Sequence, residues 1–381
     1  MEDSRVEVLV GPPGSGKTTK LIVDSYSWPL RSAVVAYTRD AAAELRTRQV
    51  ELDGSTYRLQ CEADTIHALT WPHVRVVAGM GRMGQTTALT FKQRKIRDTV
   101  ADPALKEWTR TAPGRKKQDA RLAQLLAWTP DQGPPPDWIW QEKIAPEASY
   151  SVALARWLAK GGKLTCKPLE FLAVDEAQDV AALELAAALA LVGTKGKVLA
   201  VGDPGQAIFQ ESKGGRPGDL PPAWKLSSDH QLLRQGFRCG DPLASAASAV
   251  LAPYYKIPPD AFMAPHRTEI KLWRGQRPAQ GMVLGNSRQT VATQAKKWGL
   301  RNFSVTPATR SGDEGELSVS TIHAAKGCEA DDVFLIPWSR DAMTRLKKKE
   351  PGAIKLLYVA MTRARRTLHL PMELMLEIPS H

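Results

Sequence analysis

A glycine-rich turn near the start of the chain constrains its fold more than any other feature. The apolar run Val8–Val10 leads directly into Gly11-Pro12-Pro13-Gly14-Ser15-Gly16-Lys17-Thr18, which has the pattern G-x-x-x-x-G-K-T. A strand that enters this pattern and a helix that leaves it are the setting of a phosphate-binding loop. The glycines let backbone N–H groups turn inward, and the helix N-terminus favours negative charge. The sequence therefore predicts a nucleoside triphosphate site.

The side chains of this loop have distinct predicted tasks. Lys17 supplies a positive charge to the phosphates, and Thr18 offers its hydroxyl to Mg²⁺. The other predicted nucleotide contacts in the loop are Gly11, Gly14, Ser15, Gly16 and Thr19. We therefore expect ATP and Mg²⁺ as cofactors.

Length and composition indicate a multidomain globular protein. At 381 residues the chain is too long for one typical core, so two or three domains are expected. No apolar run is long enough to span a membrane, and the N-terminus does not have the shape of a signal peptide. Four cysteines, which lack metal-type spacing, are expected to be reduced thiols: Cys61, Cys166, Cys239 and Cys328. The sequence thus predicts a cytoplasmic protein, with no membrane partner and in monomeric form.

The positive charge is concentrated in one quarter of the chain. The formal net charge is +12, and the stretch Trp71–Pro168 contains 17 Lys and Arg residues against 8 Asp and Glu. It also holds six of the eleven tryptophans: Trp71, Trp108, Trp128, Trp138, Trp140 and Trp157. Basic residues mixed with aromatic ones suit a polyanion with bases that stack, so we favour a nucleic-acid role for the segment. The alternative, favoured for any single residue of the segment, is a small helical domain with a solvated basic face and a tryptophan core.

Apolar runs alternate with helical patterns along most of the chain. The predicted strands are Val6–Val10, Ala33–Tyr37, Phe171–Val174, Lys197–Val201, Ile270–Trp273, Met282–Gly285, Phe303–Val305, Leu317–Ser320 and Val333–Ile336. The main predicted helices are Arg39–Gln49, Val180–Leu191, Asp241–Leu251, Gln289–Trp298 and Ile354–Arg363. This alternation is typical of α/β folds with doubly wound parallel sheets. The Gly- and Pro-rich stretch Gly214–Pro222 marks the boundary between two α/β halves, and the basic segment interrupts the first half as an insertion.

Two carboxylates follow the apolar run Phe171–Val174. Asp175 lies where the strand ends and is placed to reach Mg²⁺ held by Thr18. Glu176 is placed to orient or deprotonate the attacking water. An acidic pair is common by itself, but together with the phosphate-binding loop it predicts hydrolysis of the nucleotide.

Further stretches give the chain a resemblance to a known family. They are Ala36–Leu45, Asp64–Ala68, Val174–Asp179, Val201–Phe209, Leu233–Arg238, Val319–Val333 and Leu357–Arg366. In sequence and order they resemble the motifs of superfamily 1 DNA helicases of the UvrD/Rep type, over residues 6 to about 370. In the numbering of that family, Val201–Phe209 resembles the third motif, Val319–Val333 the fifth and Leu357–Arg366 the sixth. The resemblance implies two RecA-like motor domains, which we place at residues 1–230 and 231–381. A basic, mainly helical insertion at residues 73–165 would interrupt the first.

The resemblance also implies roles around the nucleotide. Gln206 would sense the γ-phosphate, and Arg238 and Arg363 would reach it as arginine fingers from the second motor domain, which would make domain closure depend on ATP. Phe237 would stack on adenine, and Glu329 would hold the ribose. The alternative for Arg363 is a surface arginine in a basic tail with Arg365 and Arg366.

A second group of residues matches family positions that contact the nucleic acid. Tyr37 and Phe209 would stack on bases, with core packing as the alternative because both flank predicted strands. The residues expected to contact the backbone of the single-stranded DNA are Thr38, Thr65, His67, Thr321 and His323.

The sequence departs from the family at three places. The family's adenine-reading glutamine upstream of the loop has no counterpart in the five residues before the first strand, so loose base selection is expected. Glu211 stands where the family has a tryptophan. Only Thr306–Gly315 occupies the position of the family's large insertion in the second motor domain.

These features predict an ATP-dependent translocase on single-stranded DNA with helicase activity. The third and sixth motifs resemble those of the branch that moves 3′ to 5′. One alternative is an RNA-directed helicase of the same superfamily, and another is a switch or scaffold that binds ATP without turnover. Intact Lys17, Asp175, Glu176, Gln206 and Arg363 speak against the latter.

Overall fold

The structure is a computed structural model of the 381-residue chain. It describes residues 5–25, 27–29, 31–53, 63–78, 121, 123–140, 149–209, 216, 218–227, 229–234, 236, 238–255, 266–300 and 317–378. The predicted strand Phe303–Val305, Glu211 and Phe237 lie outside the described residues.

Within the described residues, the first sheet has six strands. They are β1 (Val6–Val10), β2 (Ser32–Ala36), β3 (Ala63–Thr65), β4 (Leu169–Asp175), β5 (Val192–Gly202) and β6 (Asp229–Leu232). Their order in the sheet is β3-β2-β4-β5-β1-β6, and the pairings β3-β2, β2-β4 and β4-β5 are parallel. Helices join these strands: α1 (Lys17–Ser25), α2 (Arg39–Asp53), α3 (Ile66–Ala78), α4 (Ser149–Ala159), α5 (Ala182–Ala190) and α6 (Pro222–Leu226).

In the part of the chain that the structure describes, the second sheet has five strands, and all of their pairings are parallel. They are β7 (Glu269–Leu272), β8 (Gly281–Gly285), β9 (Leu317–Thr321), β10 (Ala330–Leu335) and β11 (Ala364–Leu370), in the order β7-β11-β10-β8-β9. The accompanying helices are α7 (Leu243–Tyr255), α8 (Arg288–Lys297), α9 (Arg340–Lys347), α10 (Pro351–Met361) and α11 (Met372–Met375).

The strands of both sheets are stabilised by the burial of their apolar side chains. Every residue of β2 is buried, as expected for an inner parallel strand covered on both faces. In the second sheet, Val333 of β10 and Leu368 of β11 pack in one core with Leu357 of α10. The two sheets with their helices confirm the predicted α/β class with two RecA-like halves.

Contacts divide the chain into two compact units. The first unit comprises Met1–Val8, Thr18–Gly202 and Phe209–His230. The second comprises Leu9–Lys17, Asp203–Ile208 and Gln231–His381. By this division most of the phosphate-binding loop belongs with the second half of the chain.

Part of the basic segment packs as a core. Trp71, Trp128 and Trp157 are buried, and the last two share a cluster with Leu183 of α5. For these three tryptophans the structure confirms core packing rather than exposure to a ligand. Most of the segment's basic residues lie outside the described part of the chain, including all of those between positions 79 and 120.

Among the described residues, no helix has both the length and the apolar character needed to cross a membrane.

Candidate functional site

A carboxylate and a hydroxyl meet where β4 ends. Thr18 Oγ1, in the first turn of α1, donates a hydrogen bond of 3.0 Å to Oδ2 of Asp175. Asp175 is buried, and its other oxygen accepts the backbone N–H of Glu176 at 3.0 Å. Mg²⁺ is usually bound by one or two such protein oxygens together with phosphates. Thr18 and Asp175 therefore fit the predicted metal site, and among the described residues there is no cluster of three or more metal-binding side chains.

Glu176 has an unusual backbone conformation. Its φ is 51°, in the left-handed region that non-glycine residues rarely occupy. Nε2 of Gln178 donates a hydrogen bond of 2.6 Å to the Glu176 carboxylate. Such local strain persists where the surrounding structure fixes it, and it is concentrated at functional sites. Sequence reasoning did not identify Gln178 as a partner of the expected base.

The phosphate-binding loop forms a tight curve. Gly14 and Gly16 have φ values of 73° and 78°, which glycine adopts without steric cost. Lys17 is buried, and its Nζ donates to the carbonyl oxygens of Gly11 at 2.8 Å and Pro12 at 2.9 Å. The ammonium charge is thereby fixed within the loop.

Ser15 Oγ tests whether the loop fits a phosphate. The atom is buried, and within the described part of the chain it has no hydrogen-bond partner. A buried hydroxyl without a partner is costly, and a phosphate oxygen would accept its hydrogen bond. Thr19, by contrast, is exposed on α1.

In the second unit, Gln206 and Arg363 form a hydrogen bond with each other. Nη2 of Arg363 donates to Oε1 of Gln206 at 3.1 Å, and Nε2 of Gln206 donates to Oδ2 of Asp203 at 3.0 Å. The Tyr358 hydroxyl also donates to Asp203, at 2.8 Å. Burial and the Asp203 charge raise the pKa of Tyr358 well above its ordinary value, so it remains a donor.

Arg363 is not the surface residue of a basic tail. Its side chain is fully buried. It donates to the carbonyl oxygens of Val359 at 2.9 Å and Cys328 at 3.2 Å, and to Thr362 Oγ1 at 3.3 Å. The surface alternative is therefore wrong.

Arg238 lies beside the phosphate-binding loop. A Cβ on Gly14 would be 2.5 Å from the Cβ of Arg238, so the two backbones approach each other closely. The Arg238 side chain forms an ion pair with Glu329, which also lies 3.7 Å from the Arg365 guanidinium. The predicted finger and the predicted ribose ligand are therefore neighbours.

Four of the predicted nucleic-acid residues, Tyr37, Thr38, Thr65 and His67, lie at the carboxyl ends of neighbouring strands of the first sheet. Ala36 pairs in register with Thr65 of β3 and with Asp175 of β4. Tyr37 and Thr38 follow Ala36 directly. Thr38 Oγ1 accepts the N–H of Ala41, and Thr65 Oγ1 accepts that of Ala68, each at 3.1 Å, so both threonines cap helices.

Tyr37 and His67 are aromatic neighbours at the ends of these strands. Their ring centroids are 6.3 Å apart in an edge-on arrangement, and both side chains are half-buried. Burial, followed by the charges of Glu184 and Asp179, raises the pKa of Tyr37. Tyr150 and Glu184 also contact His67, and neither is among the predicted site residues. A glutamate three residues after a helix start was the available signal for Glu184.

The remaining predicted nucleic-acid residues follow strands of the second half or the third motif. Phe209 is half-buried. Thr321 is buried at the end of β9, and its Oγ1 accepts the N–H of Ala324 at 3.3 Å. His323 reaches solvent, although partial desolvation and then the Lys326 charge lower its pKa. Lys326 Nζ donates to the carbonyl oxygen of Gln206 at 2.8 Å, which links the fifth motif to the third.

Comparison with known proteins gives two sequence matches. A family described as an AAA domain matches residues 2–211, which is more than half of the chain. A family described as a UvrD-like helicase C-terminal domain matches residues 316–370. The curated proteins gave no match.

Two of the similar solved structures are described as helicases. The structure of the PRRSV helicase has a TM-score of 0.48 and 13% identity, over 98% of this chain and 54% of that one. The complex of arterivirus nonstructural protein 10 (helicase) with DNA has a TM-score of 0.46 and 14% identity, over 96% and 60%. The chain thus spans little more than half the length of these proteins.

The two sequence matches cover the first half and the last motifs of the chain, and they agree with the order of its motifs. The chain belongs to the UvrD-like superfamily 1 helicases.

Proposed function

We propose that this protein is a motor that hydrolyses ATP to move along single-stranded DNA and to open duplexes at single/double-strand junctions. One observation carries the proposal: Ala36 pairs in register with both Asp175 and Thr65. The residues proposed for hydrolysis and those proposed to contact DNA thus lie at the ends of three neighbouring parallel β-strands. Ligands of parallel α/β sheets bind beyond the carboxyl ends of the β-strands, where these residues lie.

In this proposal the phosphate-binding loop, Asp175 and Glu176 carry out the hydrolysis. Lys17 and the Ser15 hydroxyl would bind the phosphates, and Thr18 with Asp175 would hold Mg²⁺. The ion neutralises phosphate charge when it is bound. Glu176, held by Gln178, would orient the attacking water and accept its proton.

The buried network of the second unit supplies charge stabilisation. In this proposal Gln206 and Arg363 face the γ-phosphate, and Arg238 does so from beside Gly14. A guanidinium fork is suited to the charge that develops on a transferred phosphoryl group. Phe237 would stack on the base, and Glu329 would bind the ribose.

The DNA-binding half of the motor is proposed from residues at the ends of β2, β3 and β9 and from Phe209. Tyr37 and Phe209 would stack on bases. His67, Thr321 and His323 would contact the sugar–phosphate backbone, and the N-termini of α2 and α3 at Thr38 and Thr65 offer N–H groups to phosphates. The motor domains are proposed to be residues 1–230 and 231–381.

DNA as the track follows from the resemblance to the family as a whole, and movement from 3′ to 5′ follows from the resemblance of the third and sixth motifs. Strand displacement tests both, with DNA and RNA duplexes that carry either a 3′ or a 5′ single-stranded tail. We expect displacement of the DNA duplex with a 3′ tail. Displacement restricted to RNA, or to 5′ tails, would overturn the substrate or the polarity.

A further inference from the structure

The His67 imidazole is held by two contacts. Its Nε2 lies 3.3 Å from Oε1 of Glu184, and its ring centroid lies 4.2 Å from that of Tyr150. Within the described part of the chain, its other nitrogen, Nδ1, has no hydrogen-bond partner. The side chain is 37% exposed, so Nδ1 is the polar atom available for a ligand.

Glu184 is a buried anchor in the first turn of α5. Its side chain is only 4% exposed, and its Oε2 accepts the backbone N–H of Ala181 at 2.9 Å. An ionised carboxylate only accepts hydrogen bonds, so Nε2 of His67 carries the hydrogen that points at Oε1. One buried side chain therefore fixes both a helix start and the orientation of the imidazole.

Tyr150 is fixed as firmly as Glu184. Its hydroxyl forms a short hydrogen bond with Oγ1 of Thr70, which itself donates to the carbonyl oxygen of Ile66 at 2.8 Å. Because the Thr70 hydrogen is used in this way, Tyr150 is the donor to Thr70. The ring on which His67 packs is thus tied to the same turn of α3 that carries His67.

We propose that Glu184 and Tyr150 are positioning residues that hold the His67 ring with Nδ1 toward the backbone of the bound strand. The inference rests on the proposed function, in which His67 contacts the sugar–phosphate backbone. With Nε2 directed at Glu184, Nδ1 is the ring nitrogen left to form a hydrogen bond with the sugar–phosphate backbone of the bound DNA. An imidazole that rotates freely would lose conformational entropy when it binds. In this protein the two contacts already restrict the ring, so less entropy is lost on binding.

A double-mutant cycle tests the inference through the affinity for a fluorescent oligothymidylate. Glu184→Gln keeps the shape but leaves one acceptor oxygen, so His67 Nε2–H and the Ala181 N–H can no longer both donate to this side chain. We expect about tenfold weaker binding in the wild-type background and less than a twofold change when His67 is already alanine. Tyr150→Leu removes the ring and should show the same dependence on His67. Glu170→Gln is the matched control, because it removes an exposed ion pair with Arg31 and should not change affinity.

The outcomes separate the inference from the proposed function. Equal effects of Glu184→Gln with and without His67 would mean a general structural role and would overturn the inference. Normal binding by both positioning variants, alongside weak binding by His67→Ala, would overturn it as well. If the wild-type protein binds no oligothymidylate and its hydrolysis does not respond to it, the proposed function itself is wrong. Thermal unfolding of each variant identifies losses that come from misfolding, and Tyr150→Leu then decides if Glu184→Gln does not fold.

Discussion

Arg363 donates a hydrogen bond of 3.1 Å to the side-chain oxygen of Gln206. An amide presents one acceptor and one donor end, and Asp203 takes the donor end of Gln206 at 3.0 Å. The three side chains therefore fix each other's orientation. The predicted phosphate sensor and the predicted arginine finger form one unit rather than two independent contacts.

Replacing Arg363 by alanine should reduce ATP turnover by about 10³ or more, the usual loss when an arginine finger is removed. The nucleotide should still bind, because Lys17 and the loop remain. Steady-state hydrolysis and the binding of a fluorescent ATP analogue measure the two effects. Arg363 is fully buried, so Arg363→Lys serves as the control that keeps a buried cation. A turnover loss below tenfold in a folded Arg363→Ala protein would contradict the role.

Two glycines of the loop should differ in their tolerance of alanine. Both have positive φ, but a Cβ on Gly14 would lie 2.5 Å from Arg238, whereas a Cβ on Gly16 meets nothing within 4 Å. Gly16→Ala should cost about 1 kcal/mol of unfolding free energy, and Gly14→Ala about 3 kcal/mol or more. Denaturant unfolding of both variants checks this order. Equal costs would show that Arg238 does not limit the space at Gly14.

The basic segment should carry part of the salt dependence of DNA binding. The test reverses Lys92, Arg94, Lys95 and Arg97 together, residues that lie outside the described part of the chain. For each phosphate that the variant no longer neutralises, the log–log salt slope on single-stranded DNA should fall by about 0.7. Binding titrations over a series of salt concentrations provide the slope. An unchanged slope would mean that these residues form only a solvated surface.

His73 should make folding stability depend on pH. Its Nδ1 accepts hydrogen bonds from the backbone N–H of Thr165 at 3.1 Å and from its hydroxyl at 2.8 Å, and burial lowers its pKa from the ordinary 6.5. Below pH 6.5 the unfolded chain therefore binds more protons than the folded one. The stabilisation is complete above pH 6.5 and is lost as the pH falls through the folded pKa.

Unfolding free energies across this range measure the effect of His73. His73→Asn keeps an acceptor for Thr165 but does not titrate, so its stability should fall less on acidification than that of the wild type. Parallel pH dependences of the two proteins would exclude His73 as the source.

Most of the fold could be predicted from the sequence because its strands are short apolar runs. Val6–Val10 was predicted with its observed bounds, and Lys197–Val201 forms the end of a longer β5. β6 and β11 were missed: Asp229–Leu232 has few apolar residues, and Ala364–Leu370 begins with an alanine and two arginines. In both cases pairing with neighbouring strands outweighs local propensity.

The candidate site was predictable where a motif specifies the side chain. Lys17, Thr18 and Asp175 are recognisable from spacing, and the Thr18–Asp175 hydrogen bond agrees with their expected proximity. Glu184 and Tyr150 lie outside these motifs, and their contacts with His67 span long sequence separations. Only the packing of α3 against α4 and α5 brings them together.

The central claim is that nucleotide hydrolysis is coupled to a single strand of DNA, and steady-state ATP hydrolysis with and without an oligothymidylate tests it most directly. We expect hydrolysis to rise by at least about tenfold on addition of the strand and to be abolished by Lys17→Ala. Hydrolysis that proceeds at the same rate with and without any single-stranded DNA or RNA, or no hydrolysis at all, would contradict the account.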